Sequence, residues 1–282
     1  MFLILKKIYR FYKFYDGPYL NWSEAKKNSH GYGHHKIIKR ILNTAIKAKE
    51  VKKFEKDGFL LDKLDNDKTI IRLLNKSRNE LNIIDFGGGF GTLHSQYKKF
   101  LNKKYNWYII EQKKYVKLSH KFFKEKNVFF FSNLKSNKIQ KSKINLVIFS
   151  SSIQYLKNYE ETIKQVLNLN PEYLIFLKTP LNYKNKNQIF IQNIPQNVYE
   201  GSYPSWVFSK QYFFDIFRKK FKIFKFYTVN PKLYFVDHYN IYMKLKNNTD
   251  LDNLANLLNL KITGKKFSNL EILEDFISNK FL

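Results

Sequence analysis

The rhythm of apolar positions changes near residue 81. Before it, Ile37-Ile38, Ile41-Leu42 and Ala45-Ile46 repeat at i, i+1, i+4, i+5, the spacing of one helical face. Ile70-Ile71 and Leu73-Leu74 announce a second helix, Tyr15-Asp16-Gly17-Pro18 reads as a turn, and Ser23 reads as the cap of a helix opening at Glu24. Residues 1–80 are therefore expected to be mostly helical. From 81 onward, short apolar runs alternate with helical stretches, the mark of a parallel sheet with crossover helices. The expected strands are 81–85, 107–111, 128–131, 144–149 and 173–177. Helices are expected after Gly91 towards Leu101, and over 115–123, 160–169 and 209–219. The unbroken apolar run 144–149 suits a central strand covered on both faces. Segments 222–228 and 239–244 read as a closing hairpin-like pair, 181–206 as a long polar connection, and 249–282 as two helices.

Composition narrows the function classes. Over 282 residues, 44% hydrophobic and 18% aromatic content argue for a folded globule rather than a disordered chain. The absence of cysteine excludes disulfides, a thiol nucleophile and cysteine-ligated metal, and fits a reducing cytoplasm. His34 and His35 are adjacent, so on a helix they point apart, and no metal site is expected. The net charge of +28 draws anionic partners, yet only Arg10, Arg40, Arg72, Arg78 and Arg218 are arginines. Readers of nucleic acid exploit the planar arginine fork, whereas here lysines are scattered over every segment beside abundant Asn, Ile, Phe and Tyr, as AT-rich coding produces. Nucleic acid is therefore not the favoured partner. The apolar run 1–5 stops at Lys6, far short of a membrane span, so no transmembrane segment is expected. Segment 2–15 mixes aromatics with lysines and offers two readings, a helix packed on the core or a peripheral contact with an anionic membrane.

Candidate chemistry concentrates in Ile83-Ile84-Asp85-Phe86-Gly87-Gly88-Gly89-Phe90-Gly91-Thr92, a strand, an acid, a glycine run and a helix start. A dinucleotide loop of the form G-x-G-x-x-G would put its third glycine at Thr92. What stands instead is D-x-G-x-G-x-G through Asp85, Gly87, Gly89 and Gly91. The next strand ends at Glu111, where nucleoside-binding α/β folds place an acid that accepts from ribose hydroxyls.

This spacing resembles motif I of the class I S-adenosylmethionine (SAM) methyltransferases. More widely, the chain resembles a bacterial family of class I SAM-dependent methyltransferases often associated with surface-polysaccharide biosynthesis. The resemblance covers most of 14–245 and rests on Gly17-Pro18-Tyr19-Leu20-Asn21-Trp22-Ser23-Glu24-Ala25, His30-Gly31-Tyr32 and Phe54-Glu55-Lys56-Asp57-Gly58. It continues through Asp85-Phe86-Gly87-Gly88-Gly89, Trp107-Tyr108-Ile109-Ile110-Glu111-Gln112, Ser150-Ser151-Ser152-Ile153-Gln154-Tyr155-Leu156 and Gln192-Asn193-Ile194-Pro195, and ends in Ser202-Tyr203-Pro204-Ser205-Trp206-Val207-Phe208-Ser209. Where such proteins tend to carry Asp-Arg before Thr-Pro, this chain has Leu177-Lys178-Thr179-Pro180.

The resemblance implies a Rossmann-like methyltransferase fold. It has a mostly parallel seven-stranded sheet over 81–245, helices on both faces, an N-terminal helical extension (1–80) and a C-terminal helical tail (246–282). It implies SAM as cofactor, with the backbone of Gly87, Gly88 and Gly89 facing its amino-acid and ribose parts. Glu111 then takes the ribose hydroxyls, Gln112, Ser132 and Asn133 lie by the adenine, and Ser150 and Ser151 form the floor beneath the methyl. Gln154 and Tyr155 fall where many relatives contact substrate, with Gln154 orienting an acceptor rather than acting as a base. Tyr203 and Gln192 would supply a wall or lid. By chemistry alone His30 and His94 are candidate bases, and Tyr19, Trp22 and Tyr32 are either aromatic caps or packing. The implied acceptor is a small molecule or glycan. RNA is the alternative that the charge suggests, and a degenerate, membrane-surface assembly component is the non-enzymatic one.

Overall fold

A strand covered by helices on both faces has no solvent side, so both phases of its alternation must be apolar. Segments with that property form the middle of the sheet in the computed structural model of the chain. The structure describes residues 9, 11, 13–30, 35–76, 80–194, 201–229 and 236–246. The expected helices at 249–282, most of segment 2–15, and Gly31, Tyr32 and Pro195 lie outside the described residues.

Strands β4 (Leu81–Phe86), β5 (Tyr105–Ile110), β6 (Val128–Phe131), β7 (Leu146–Ser150) and β8 (Tyr173–Asn182) are parallel, in the order β6-β5-β4-β7-β8. β12 (Val236–Leu245) runs antiparallel along β8, and β11 (Phe221–Val229) closes the edge against β12. The chain therefore winds outward from β4 to β6, returns, and winds the other way from β7. Such a reversal opens a crevice at the carboxyl ends of the two strands where it occurs. The glycine loop follows β4 directly, so it lies on that crevice.

Alternation divides the core into two layers. Ile83, Trp107, Ile109, Ile148 and Ile175 pack on one face with α2 (His35–Glu50) and α3 (Lys68–Lys76). Ile84, Tyr108, Val147, Phe149 and Phe176 pack on the other with α7 (Tyr159–Asn168) and α8 (Lys210–Arg218). The Ile37, Ile38, Ile41 and Leu42 stripe of α2 is buried as its periodicity predicts, at about 1.5–3 kcal/mol per fully buried side chain. The crossovers are completed by α4 (Thr92–Tyr97), α5 (Lys113–Phe122) and α6 (Asn137–Gln140).

Five features depart from the sequence reading. The sheet has ten strands rather than seven. The connection expected at 181–206 holds β9 (Gln188–Asn193) and ends in β10 (Ser202–Ser209), an antiparallel pair. The expected turn at Tyr15 is β1 (Tyr15–Tyr19), an edge strand on β9. This trio joins the sheet where β8 runs past β7, through Phe208↔Leu181 and Ser209↔Asn182. Residues 54–61 form a small hairpin, β2 (Phe54–Lys56) and β3 (Phe59–Leu61). Its two turn residues, Asp57 (φ 51°) and Gly58 (φ 78°), both take the left-handed conformation that a tight two-residue turn requires. Finally, α1 (Trp22–Lys27) is capped by Asn21, whose Oδ1 accepts from Glu24 N–H at 2.9 Å, and not by Ser23, which lies inside the helix.

Candidate functional site

Strands β4, β5, β6 and β7 end within a residue of one another, so their next residues meet along one edge. Phe86 pairs with Ile110, Ile110 with Phe131, and Ser150 with Leu177. Gly87, Glu111, Ser132 and Ser151 each follow the end of one of these four strands. The sequence-predicted cofactor residues are thus brought together at the carboxyl edge.

The glycines have different physical reasons. Gly87 (φ 75°) donates its N–H to Ile110 O at 2.8 Å, and a Cβ there would stand 2.5 Å from Ser152 Cβ. At Gly88 a Cβ would come within 2.4 Å of the Asp85 carboxylate. These two positions are small because the loop folds onto its own strand ends, and not because a ligand must approach them. Gly89 differs. Its φ is +56° and no atom lies within 4 Å of a Cβ built there, so this is the position that faces open space. Gly91 (φ 92°) starts α4 from a left-handed conformation.

Glu111 is fixed towards the loop. Its Oε2 accepts from Gly89 N–H at 3.3 Å and its Oε1 from Gln112 N–H at 2.8 Å. Burial pushes its carboxyl up from the ordinary value, against the pull of these two donors. Each oxygen keeps a further lone pair, so the group still has the capacity to accept from a diol. Asp85 lies fully buried beneath the loop. Its Oδ2 accepts from Trp107 Nε1 at 3.3 Å, and its Oδ1 finds no hydrogen-bond partner among the described residues. Burial first, then the Glu111 charge, raises its pKa to about 7, with the Trp107 bond opposing. Ser132 and Asn133 are exposed beyond β6, where Asn133 Oδ1 accepts from Lys135 N–H at 2.9 Å. Ser150 ends β7, and Ser151 (φ 52°) donates its N–H to Leu177 O at 2.9 Å. The residues present fit a nucleoside cofactor by an acid oriented at a strand tip beside a backbone open at Gly89.

The acceptor-side candidates cluster less completely. Tyr155 OH donates to Gln192 Oε1 at 2.7 Å, and its ring meets Tyr203 edge-on with centroids 4.8 Å apart. Gln192 pairs across the small sheet with Tyr203 on one side and Tyr15 on the other. Gln154, by contrast, points into the protein: it is 2% exposed and its Oε1 has no hydrogen-bond partner among the described residues. Tyr19 bonds Asp16, and Trp22 stacks on Trp206 at 5.7 Å, so Trp22 packs α1 onto β10.

Both candidate bases have partners within the fold. His94 is 2% exposed, lies against Trp107 and Tyr105, and faces Glu125 at 3.5 Å. Burial lowers its pKa to about 4. His30 Nδ1 is taken up by Ser202 Oγ at 3.0 Å. The histidine that does stand at the carboxyl edge is His238, opposite Pro180 at the end of β8, with Nε2 3.1 Å from Tyr15 OH. Burial, helped by the Lys178 charge, lowers its pKa to about 4, so it is neutral at physiological pH. The sequence signal for it was positional. A residue near the start of an antiparallel last strand faces the carboxyl end of its parallel neighbour.

A cavity of about 640 Å³ opens at the opposite edge, among the amino ends of β4, β5, β7 and β8. Its asparagines are mutually satisfied: Asn82 Oδ1 accepts from Asn106 Nδ2 at 2.9 Å, and Asn145 Oδ1 accepts from Asn82 N–H at 2.9 Å. Parallel sheets bind ligands at the other end, where Asp85 and Glu111 stand with their carboxyls raised by burial.

No protein-family profile matches this chain, and no curated protein does. Solved structures do resemble it. The N-terminal domain of EvdMO1, determined in the presence of S-adenosylhomocysteine (SAH) and D-fucose, aligns with 74% of this chain and 97% of its own, at 10% identity and TM-score 0.46. The 1,6-didemethyltoxoflavin-N1-methyltransferase of Burkholderia thailandensis, with bound 1,6-didemethyltoxoflavin and SAH, aligns over 82% of this chain and 93% of its own, at 9% identity and TM-score 0.42. A SAM-dependent methyltransferase from Aquifex aeolicus aligns over 64% and 89%, at 13% identity and TM-score 0.42.

Proposed function

We propose that the protein is a SAM-dependent methyltransferase acting on a hydroxyl of a sugar or surface-polysaccharide intermediate. The observation that carries the cofactor half is Glu111, held at the tip of β5 by the N–H of Gly89, the glycine that borders open space. In this reading Glu111 accepts from the ribose hydroxyls, Gly89 lies along the cofactor, and Gln112, Ser132 and Asn133 border the adenine. Ser150 and Ser151 form the floor. When bound, SAM supplies an activated methyl on its sulfonium, which leaves the protein to position the acceptor and exclude water.

On the acceptor side, Tyr155, Gln192 and Tyr203 form one wall. His238 is the residue placed to take the acceptor's proton. In the tautomer whose Nε2–H donates to Tyr15 OH, the neutral ring presents Nδ1 as an acceptor. The glycan half of the reading is supported by the family resemblance alone, and a cytoplasmic location is proposed with it. No helix among the described residues is long and apolar enough to cross a membrane.

Calorimetric titration with SAM and SAH tests the core of this proposal. Saturable binding of both is expected, and no binding at millimolar ligand would overturn it. Filter binding to bulk tRNA across salt separates the RNA alternative, which demands a saturable preference as well as a steep salt slope.

A further inference from the structure

β11 is an edge strand, paired only with β12 among the described residues, and its two faces differ. On the side of α7 and α8, Phe226 stacks on Tyr239 with centroids 4.5 Å apart and meets Phe214 of α8 at 5.5 Å. On the other side, a bulge between Ile223 and Lys225 directs Phe224 towards Tyr173 and Tyr242, at 6.1 and 6.2 Å. Tyr227 stacks on Tyr242 at 6.1 Å beside it. Helix α3 holds the rim of this strip. Thr69 Oγ1 accepts from Lys225 Nζ at 2.5 Å, and Asp67, just before the helix, accepts from Tyr227 OH at 3.2 Å. The aromatic strip itself stays open, with Phe224 43% and Tyr227 37% exposed.

The chain leaves the sheet at the foot of this strip. Leu245, the last residue of β12, pairs with Phe221, the first of β11, and Lys246 donates its N–H to Lys220 O at 2.9 Å. Residues 247–282 continue from that point and lie outside the described residues. Their sequence opens with Thr249 and Asp252 at the spacing of a capping box. Leu251, Leu254, Ala255 and Leu258 follow at i, i+3, i+4 and i+7, one helical face. A helix over 249–260 spans about 18 Å, and Phe221 to Tyr227 along the strand is about 20 Å. Charge agrees with length. Lys222 pairs with Lys244 across the strands, on the side of Tyr242 by alternation, and like charges so placed oppose each other. In a chain of net charge +28, residues 249–260 carry Asp250 and Asp252 and no basic residue. Both acids fall in the first turn, nearest the lysine pair.

We propose that residues 249–260 dock as an amphipathic helix on the Phe224–Tyr227 strip, with Leu251, Leu254 and Leu258 against the rings and Asp250 and Asp252 at the Lys222–Lys244 pair. The docking is independent of the methyltransferase reading. A groove of about 320 Å³ between α7 and α8 also borders Lys220, on the opposite side, and is the competing place for the same segment. Because the chain has no cysteine, paired cysteines in the full chain separate the two places. Phe224→Cys with Leu254→Cys should close an intramolecular disulfide under mild oxidation, whereas Ile216→Cys with Leu254→Cys, which probes the groove, should not. Adding Leu251→Asp and Leu258→Asp to the first pair should lower the disulfide yield about tenfold. In the unsubstituted chain with methyl-labelled leucines, a nuclear Overhauser contact from Leu254 to the Phe224 ring is expected, and it decides the matter if the cysteine pair fails to fold. A disulfide from the Ile216 pair and not from the Phe224 pair overturns the proposal, as does the absence of both the Phe224 disulfide and the ring contact. A Phe224–Leu254 disulfide that joins two chains gives the strip to a second copy and overturns it as well.

Discussion

Asp85 is the residue whose energetics are most sharply defined. Its carboxyl is fully buried, one oxygen bonds Trp107, and the folded pKa is about 7 against an ordinary value near 4. Between those two values the unfolded chain has released a proton that the native state still holds. Native stability therefore falls as pH rises through that window, by up to about 1.4 kcal/mol per pH unit, and is flat above it. Asp85→Asn removes the titration. In urea unfolding across the window, its stability relative to wild type should climb with pH, and a pH-independent difference would show that the carboxyl is solvated. The neighbouring glycines give an ordered steric series. Gly88→Ala drives a methyl into the Asp85 carboxylate and should be the more damaging. Gly89→Ala meets open space and bears only the left-handed strain of about 1 kcal/mol. For Glu111→Ala, SAM affinity should fall roughly 10–100-fold. The loop should lose stability too, about 1–3 kcal/mol, because Gly89 and Gln112 lose their acceptor. Calorimetry that returns wild-type SAM affinity would remove Glu111 from the nucleoside site.

The β2–β3 hairpin behaves as one latch. Its Glu55 is 8% exposed and accepts from two partners on different elements, so Glu55→Ala strands the Gly58 N–H and the Thr92 hydroxyl together. A cost of about 1–3 kcal/mol is expected. Amide exchange should quicken at Gly58, and Glu55→Gln should recover part of the loss. Unchanged Gly58 protection in Glu55→Ala would mean that Arg40 and Thr44, which donate to Gly58 O, hold the hairpin by themselves. This hairpin also shows where sequence reading stopped. Asp57-Gly58 between apolar neighbours is a strong two-residue turn signal, but three-residue strands are too short to show a period. The buried parallel strands were legible to within a few residues because an apolar run with no polar phase has few other uses. β1, β9 and β10 were not legible. Their pairing is mutual and nonlocal, and polar residues such as Gln192 and Ser202 sit on strands because a neighbour bonds them, not because of pattern. In the same way, the glycine loop and Glu111 were readable from spacing. Tyr15 and His238 meet from two separate strands, and no local motif joins them.

Across the whole protein, 51 basic residues face 23 acidic ones, a net charge of +28. Self-repulsion at that charge destabilises the compact state, and it acts over distances that salt screens, about 8 Å at physiological ionic strength. Local ion pairs oppose it weakly. Lys53–Asp62 and Lys104–Glu80 are exposed and worth about 0–1 kcal/mol each. Repulsion therefore dominates, and the thermal midpoint should rise from low to physiological sodium chloride. A midpoint that falls would show that pairs such as Lys49–Glu125 outweigh the net charge.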